Sequence, residues 1–389
     1  MTLFLIIVAL FLLLLVIGYP VGFAAGLSAF LGAGLVYGDV LDIRSSVMVA
    51  RLALSSMDNF LLLAIPFFIL AGRLMNFGGI TERMFSLVAL MVRPIRGGLG
   101  HANVLASVVF AGMSGSATAD AVGLGRIEMK AMLGQGYQRG FAAGITAASS
   151  LIGPILPPSI ALVAYSVQAE VSVARMFFAA IVPALMMAVA YMSYVAWRAR
   201  KEGMPKGDRA TWVEFWATFK VAILPILTPF IIMGGIWSGV FTPTESAAVA
   251  ALYAVFLGMV VYRAYGGRRL VKELSATLID TAVIMVIIIF TSAFGVVMIR
   301  AGVPSAMAAF FASLTENATI LLFLLMILWL VVGCFMAQTP AILILTPILL
   351  PIIKDYGIDP IHFGILMTLT LTLGLLTPPV GMVLYALTR

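Results

Sequence analysis

Hydrophobic residues in this chain gather into long blocks, with little sign of the spaced pattern of a half-buried helix or strand. Runs near 2–18, 20–37, 59–76, 172–197, 221–240, 244–262 and 278–299 are almost wholly apolar. Each has roughly the 17–25 residues that a helix needs to cross the hydrocarbon of a bilayer. Two more apolar stretches, 139–166 and 361–387, are interrupted half-way by glycine and paired prolines, GPILPP at 153–158 and GLLTPP at 374–379. Proline removes a backbone donor and clashes with the preceding turn, so each helix must open there. Opened backbone at membrane depth persists only where it is buried in protein or lines a wet cavity. Segments 97–135 and 318–355 are apolar at both ends around a polar middle, GMSGSATAD at 112–120 and GCFMAQTP at 333–340. Each reads either as two spans or as a re-entrant hairpin that returns to the side it entered. Ser114, Ser116, Thr118 and Asp120 favour the hairpin, since two full spans would leave them in a very short external turn.

Composition agrees with the pattern. Of 389 residues 63% are apolar, and only 23 Lys and Arg and 16 Asp and Glu carry charge. A soluble domain is about half apolar and a quarter charged, and single aqueous cores stop growing near roughly 250–300 residues. The formal charge of +7 does not point to nucleic acid, because the basic residues punctuate apolar runs and form no stripe. One Cys (Cys334) and two His (His101, His362) exclude a disulfide framework and a Cys/His metal cluster. Met1 leads straight into the first run without a basic region or a cleavage site, so that run reads as a span. With both hairpins re-entrant and the basic loop 198–220 in the cytoplasm, Lys and Arg divide 18 inside to 5 outside (Arg44, Arg51, Arg175, Arg300 and Lys354). That is the sign of the positive-inside rule, and it places the N-terminus outside.

The chain also repeats itself. At a shift of 220–223 residues, Pro20, Ala24 and Ala25 meet Pro243, Ala247 and Ala248, and Gly72, Met75 and Gly79 meet Gly295, Met298 and Gly302. Gly112 meets Gly333, Gly144 meets Gly364, and Gly153, Pro157 and Pro158 meet Gly374, Pro378 and Pro379, with Tyr165 opposite Tyr385. Each copy crosses the membrane an odd number of times, so the second is inverted. Inverted repeats with discontinuous helices around a midplane site are the signature of a secondary transporter. The expected fold is therefore an all-α integral membrane protein of two inverted repeats, each with a re-entrant hairpin and a broken helix. Residues 1–96 form the scaffold spans and arm of repeat one, and 97–167 the first transport half (hairpin 97–135, broken helix 139–166). Residues 168–317 form a connecting span, the loop and the scaffold of repeat two, and 318–389 the second transport half (hairpin 318–355, broken helix 361–387). Repeat one continues into the 172–197 span while repeat two stops at Arg389, so a last helix of roughly thirty residues is expected beyond the chain as given.

A sodium ion must exchange its water for fixed oxygens, and carbonyls freed at an unwound helix are a ready source. The first tip offers Ser114, Gly115, Ser116 and Thr118, and the break facing it Gly153 and Pro154. The symmetric set is Gly333, Gln338 and Thr339 against Gly374, Thr377 and Pro378. Helix starts at both tips aim positive dipole ends at a substrate carboxylate, which makes Ser116, Asp120, Pro158, Ser159, Thr339 and Pro379 candidate substrate contacts. Small residues that only pack helices closely are the bland alternative; two symmetric tips opposite two symmetric breaks outweigh it. Asp120 reads equally as an intramembrane functional acid or as a neutraliser of the returning helix's first turn. Glu245 reads as a cap, Asp58 and Asp280 as matching end-caps, Arg73 and Arg300 as snorkelling side chains, His101 and His362 as interfacial, and Cys334 as packing.

Taken in order, six segments resemble the large membrane subunit of tripartite ATP-independent periplasmic (TRAP) transporters. They are FAGMSGSATADA at 110–121, GYQRGFAA at 136–143, IGPILPPS at 152–159, FTPTESAA at 241–248, GIDPIHFG at 357–364 and GLLTPPVG at 374–381. The first and last are individually strong. The resemblance implies sodium-driven uptake of a C4-dicarboxylate, sialic acid or keto acid by an elevator movement in a bacterial inner membrane. It also implies two partners, an extracytoplasmic substrate-binding protein and a separate small four-helix membrane subunit. A related sodium symporter of dicarboxylates or other anions that needs no binding protein is the nearest alternative, and a pore-lining channel subunit a further one. GMSG at 112–115 also spells the serine motif of rhomboid-like proteases. A nucleophilic serine needs a base within hydrogen-bond reach, and neither histidine is placed to serve, so no enzyme is expected.

Overall fold

A blocky apolar sequence in lipid must satisfy its backbone internally, and single helices do so without partners. The structure is a computed structural model that describes residues 2–37 and 43–387, and all its regular elements among those residues are helical. The first half runs through α1 (Thr2–Val16), α2 (Val21–Tyr37), α3 (Ile43–Ser55), α4 (Ala64–Phe77, entered by a 3-10 turn) and α5 (Ile80–Val92). It continues with α6 (Gly98–Ser114), α7 (Ala117–Gly134), α8 (Arg139–Ser150), α9 (Ile160–Ala169) and α10 (Val173–Lys201). The second half comprises α11 (Trp212–Trp237), α12 (Pro243–Phe256), α13 (Gly267–Arg300) and α14 (Val303–Leu314). It ends with α15 (Ala318–Phe335), α16 (Gln338–Asp355), α17 (Pro360–Gly374) and α18 (Met382–Leu387). Among the described residues, seven helical segments are long and apolar enough to cross a membrane, α15 and α16 included. Large apolar side chains such as Phe178, Val182 and Met186 on α10 stay exposed, as lipid-facing side chains do. The protein is a multi-pass membrane protein.

Two long contacts frame the molecule: α2 lies along α13, and α4 along α12. Around them α6 packs on α5, α7 and α8, α15 packs on α17, and α9 on α16. The largest core holds Trp329 edge-on to Phe363 at 5.0 Å, with Tyr165 of α9 donating its hydroxyl to the Pro360 carbonyl at 2.5 Å. The two hairpin-like pairs are not equivalent in their packing. α16 lies against α13, where a Cβ on Gly295 would stand 2.8 Å from the Pro347 ring. α7 meets α4 at Gly123, where a Cβ would collide with the Asn76 side chain, and a cavity of about 830 Å³ lies beside that contact.

Several expectations need correction. The loop 198–220 is largely helical: α10 runs to Lys201 and α11 begins at Trp212. Likewise α13 begins at Gly267, well before the apolar run at 278–299. Charge is the reason, since polar turns that leave the hydrocarbon remain helical when i,i+4 pairs such as Arg198–Glu202 and Arg269–Glu273 support them. Asp280 is accordingly mid-helix and caps nothing, and Asn59 in place of Asp58 accepts the Leu61 amide at 3.0 Å. Glu245 does cap: with Thr242 it forms a reciprocal capping box at the start of α12. The expectation attached to Arg389 lies outside the described residues.

Candidate functional site

A glycine and a serine in succession turn the chain at the first tip. α6 ends at Ser114, Gly115 takes φ +60°, and Ser116 caps α7 by accepting the Ala119 amide at 3.4 Å. Only glycine holds a positive φ at little cost, and space makes the same demand, because a Cβ on Gly115 would stand 2.5 Å from the Pro158 carbonyl oxygen. The tip therefore sits directly on the first break. From the other side, a Cβ on Gly153 would meet the Ser116 carbonyl oxygen at 3.3 Å. The chain re-enters helix at Ser159, whose hydroxyl donates to the Pro154 carbonyl at 2.5 Å and accepts the Leu162 amide at 3.2 Å. In the second half Gly333 and Gly374 provide the close seat: a Cβ on Gly374 would lie 2.6 Å from the Gly333 Cα. α16 starts after Ala337 without a side-chain cap, and Gln338 donates from Nε2 to the Thr368 carbonyl at 3.2 Å. The Pro157–Pro158 and Pro378–Pro379 bonds are both cis.

The two tips share a cavity of about 240 Å³. Ser116 and Thr118 line it from one tip, Gln338 and Thr339 from the other, and Pro154 and Leu375 from the two breaks. The first turns of α7, α9 and α16 all open onto it. Amides at a helix start lack intrahelical partners and carry partial positive charge, so three convergent starts favour an anion. The hydroxyls of Ser116 and Thr118, 3.2 Å apart, and nearby carbonyls offer oxygens to a cation.

A wider cavity of about 830 Å³ adjoins it, sharing Ser116, Thr118, Ile160 and Ile284. Its far wall is charged. Arg73 of α4 donates from Nη1 to Asp280 of α13 at 2.5 Å, and its Nε lies 3.4 Å from Glu273. Arg269 reaches the other Glu273 oxygen at 3.2 Å and lies over the Phe77 ring at 3.8 Å. Arg73 thus pairs across two helices and does not snorkel. Residues 269, 273 and 280 share one face of α13, spaced by four and seven, and that spacing was the available signal for the cluster.

The candidates fall into groups. Gly115, Ser116, Thr118, Pro154, Gln338 and Thr339 line the smaller cavity; Ser114 lines the wider one. Gly153, Pro158 and Ser159 lie behind the first tip, with the Ser159 hydroxyl already engaged. Gly333 and Gly374 act as spacers. Asp120, 1% exposed, lines neither cavity. Thr377, which donates to the Leu373 carbonyl at 3.2 Å, and the exposed Pro378 and Pro379 line neither as well. Sequence reasoning missed a buried polar bridge between α6 and α8. Asn103 donates to Thr146 Oγ1 at 2.7 Å and accepts from Ser149 Oγ at 2.6 Å, and its signal was a lone amide within an apolar run. Ser114 and His101 occupy opposite ends of α6, about 20 Å apart at 1.5 Å per residue, which leaves no Ser–His pair.

The family model described as tripartite ATP-independent periplasmic transporter, DctM component, matches residues 8–389. The chain is 43% identical over 376 residues to the sialic acid TRAP transporter large permease protein SiaM of Vibrio cholerae, covering 97% of this chain and 87% of that one. It is 37% identical over 369 residues to the 2,3-diketo-L-gulonate TRAP transporter large permease protein YiaN of Escherichia coli, covering 95% and 85%. The fold is similar to the crystal structure of the Alcanivorax borkumensis YdaH transporter, with a TM-score of 0.63 at 16% identity over 90% of this chain and 83% of that one. The sequence relatives are permease subunits and not enzymes. The chain belongs to the DctM component family of TRAP transporters, as a large membrane subunit.

Proposed function

We propose that this subunit carries an organic acid of the sialic acid, keto acid or C4-dicarboxylate class across the bacterial inner membrane, driven by sodium. The observation that carries the reading is the convergence of the starts of α7, α9 and α16 on one cavity between the two tips. A carboxylate there meets unpaired amides, with Ser116, Asp120, Pro158, Ser159, Thr339 and Pro379 at or behind the contact. One sodium takes oxygens from Ser114, Gly115, Ser116, Thr118, Gly153 and Pro154, and a second from Gly333, Gln338, Thr339, Gly374, Thr377 and Pro378. The names of SiaM and YiaN, a sialic acid and a diketo sugar acid carrier, support the cargo class.

The packing supports inverted repeats and an elevator. At the repeat shift α2 corresponds to α12, α4 to the later part of α13, α7 to α16 and α9 to α18. The contacts α2–α13 with α4–α12, and α9–α16 with α7–α18, are exchanged pairs of the kind a two-fold axis generates. The hairpins and broken helices then form a body that slides against the remaining helices, with delivery by an extracytoplasmic binding protein and a small four-helix subunit beside the scaffold. The N-terminus is outside and the basic loop between α10 and α11 cytoplasmic.

The test uses the complex with its small subunit in proteoliposomes, its binding protein, and N-acetylneuraminate, 2,3-diketo-L-gulonate and succinate in turn. Uptake of at least one acid should require an inward sodium gradient, and Ser116→Ala or Thr339→Ala should weaken that requirement. Uptake indifferent to sodium overturns the coupling, and uptake without the binding protein favours the symporter alternative.

A further inference from the structure

Arg73 makes few hydrogen bonds for a guanidinium. It has five N–H donors in a planar fork, yet its one hydrogen bond runs from Nη1 to Asp280. Its Nε lies 3.4 Å from Glu273 and forms none. Arg269 pairs with Glu273 on its own helix at 3.2 Å and lies over the Phe77 ring, and its Nε likewise forms no hydrogen bond. Glu273 is only 10% exposed and is shared by both arginines, whereas the Arg73 and Asp280 side chains are 36% and 47% exposed. An ion pair that wet is weakly held, and its partners are free to exchange. Arg73 also stands on the wall opposite the first tip, since Ser114, Ser116 and Thr118 line the same cavity of about 830 Å³.

We propose that Arg73 is a second carboxylate-binding position in this cavity, which takes the carboxylate of the cargo in exchange for Asp280. The inference rests on the reading that the cargo is an organic acid. The tips would hold the acid at the convergent helix starts, and Arg73 would hold it on the opposite wall, with α4 and α13 as the fixed support. Arginine suits the task because its fork takes a carboxylate through two parallel hydrogen bonds, which lysine does not. Asp280 keeps the guanidinium oriented while no acid is present and competes with the acid when it arrives.

Two measurements test the proposal on the intact complex. In the first, Arg73 is modified with phenylglyoxal and read by peptide mass spectrometry, in succinate or N-acetylneuraminate against chloride of equal ionic strength. The acid should slow modification of Arg73 by roughly threefold or more, as expected of guanidinium donors occupied by a carboxylate; equal labelling overturns the proposal. In the second, half-saturating acid concentrations for uptake are compared among variants. Arg73→Gln should raise the value on the order of tenfold, the loss of charge-assisted hydrogen bonds, and Arg73→Lys should recover part of it. Asp280→Asn should lower it, because it removes the competitor. A purely structural ion pair would make Arg73→Gln and Asp280→Asn shift the value in the same direction, and that result overturns the proposal. Protection of Arg73 without sodium-driven uptake by the wild type would support this site while overturning the proposed coupling.

Discussion

Gly115 answers two demands at once, a φ of +60° and a gap too narrow for a methyl beside Pro158. A Cβ in the left-handed region costs about 1–2 kcal/mol, and overpacking adds about 1–3 kcal/mol. Gly115→Ala should therefore reduce uptake roughly tenfold or more while the protein still reaches the membrane, as an immunoblot of the membrane fraction would check. Asn103 bridges α6 to α8 through two side-chain hydrogen bonds. Asn103→Leu leaves the Thr146 hydroxyl without its donor, a loss of about 1–3 kcal/mol, so the unfolding midpoint in detergent should fall. Residues of the first kind were legible in the sequence, because glycine, serine and proline announce a turn through their own backbone chemistry. Arg73 and Asp280 were not: 207 positions separate them, and neither means much until α4 lies against α13. Asp58 and Asp280 looked alike at the repeat shift, yet one precedes a 3-10 turn and the other sits inside a long helix.

Among elements, length was legible where the bilayer sets it and obscure where it does not. The long apolar runs mark spans because the hydrocarbon requires about 20 residues. α3, α5 and α14 have only 12–13 residues and carry no such signature, so the sequence did not reveal them. The breaks were legible because paired prolines cannot continue a helix, but the seat that each hairpin makes on its break was not. That seat depends on Gly333 and Gly374 in the second half. Gly374→Ala presses a methyl into backbone that cannot yield and should cost about 1–3 kcal/mol. Gly234→Ala on the exposed face of α11, with nothing within 4 Å of its new Cβ, should instead stabilise by about 0.5–1 kcal/mol. Thermal unfolding of the two variants side by side separates a packing glycine from an incidental one.

For the whole molecule, the two hairpins pack unequally: α16 lies along α13 with an apolar cavity of about 570 Å³ beside its start, while α7 touches α4 at Gly123 beside a cavity of about 830 Å³. The punctuation suggested a repeat but carried no sign of this inequality, because matching sequences do not say how each half packs. Asn76 of α4 fills the space that a side chain at Gly123 of α7 would take. Replacing both, Asn76→Cys with Gly123→Cys in a Cys334→Ala background, should allow a cross-link between α4 and α7. Uptake should stop on oxidation and return on reduction; uptake that continues through the cross-link excludes sliding of α7 past α4.

The cavity beside α7 also bears on where a transmembrane voltage would fall. Filled with water, the cavity of about 830 Å³ beside α7 would conduct like the bathing solution, whereas low-dielectric walls concentrate field lines. The potential would then drop mainly across the apolar packing on the α13 and α16 side, and a charged passenger reaching Ser116 through a water-filled cavity would have crossed little of it. On the proposed elevator movement, electrical work would be done when the hairpins shift, and a capacitive current should report that step in preference to arrival of the cargo.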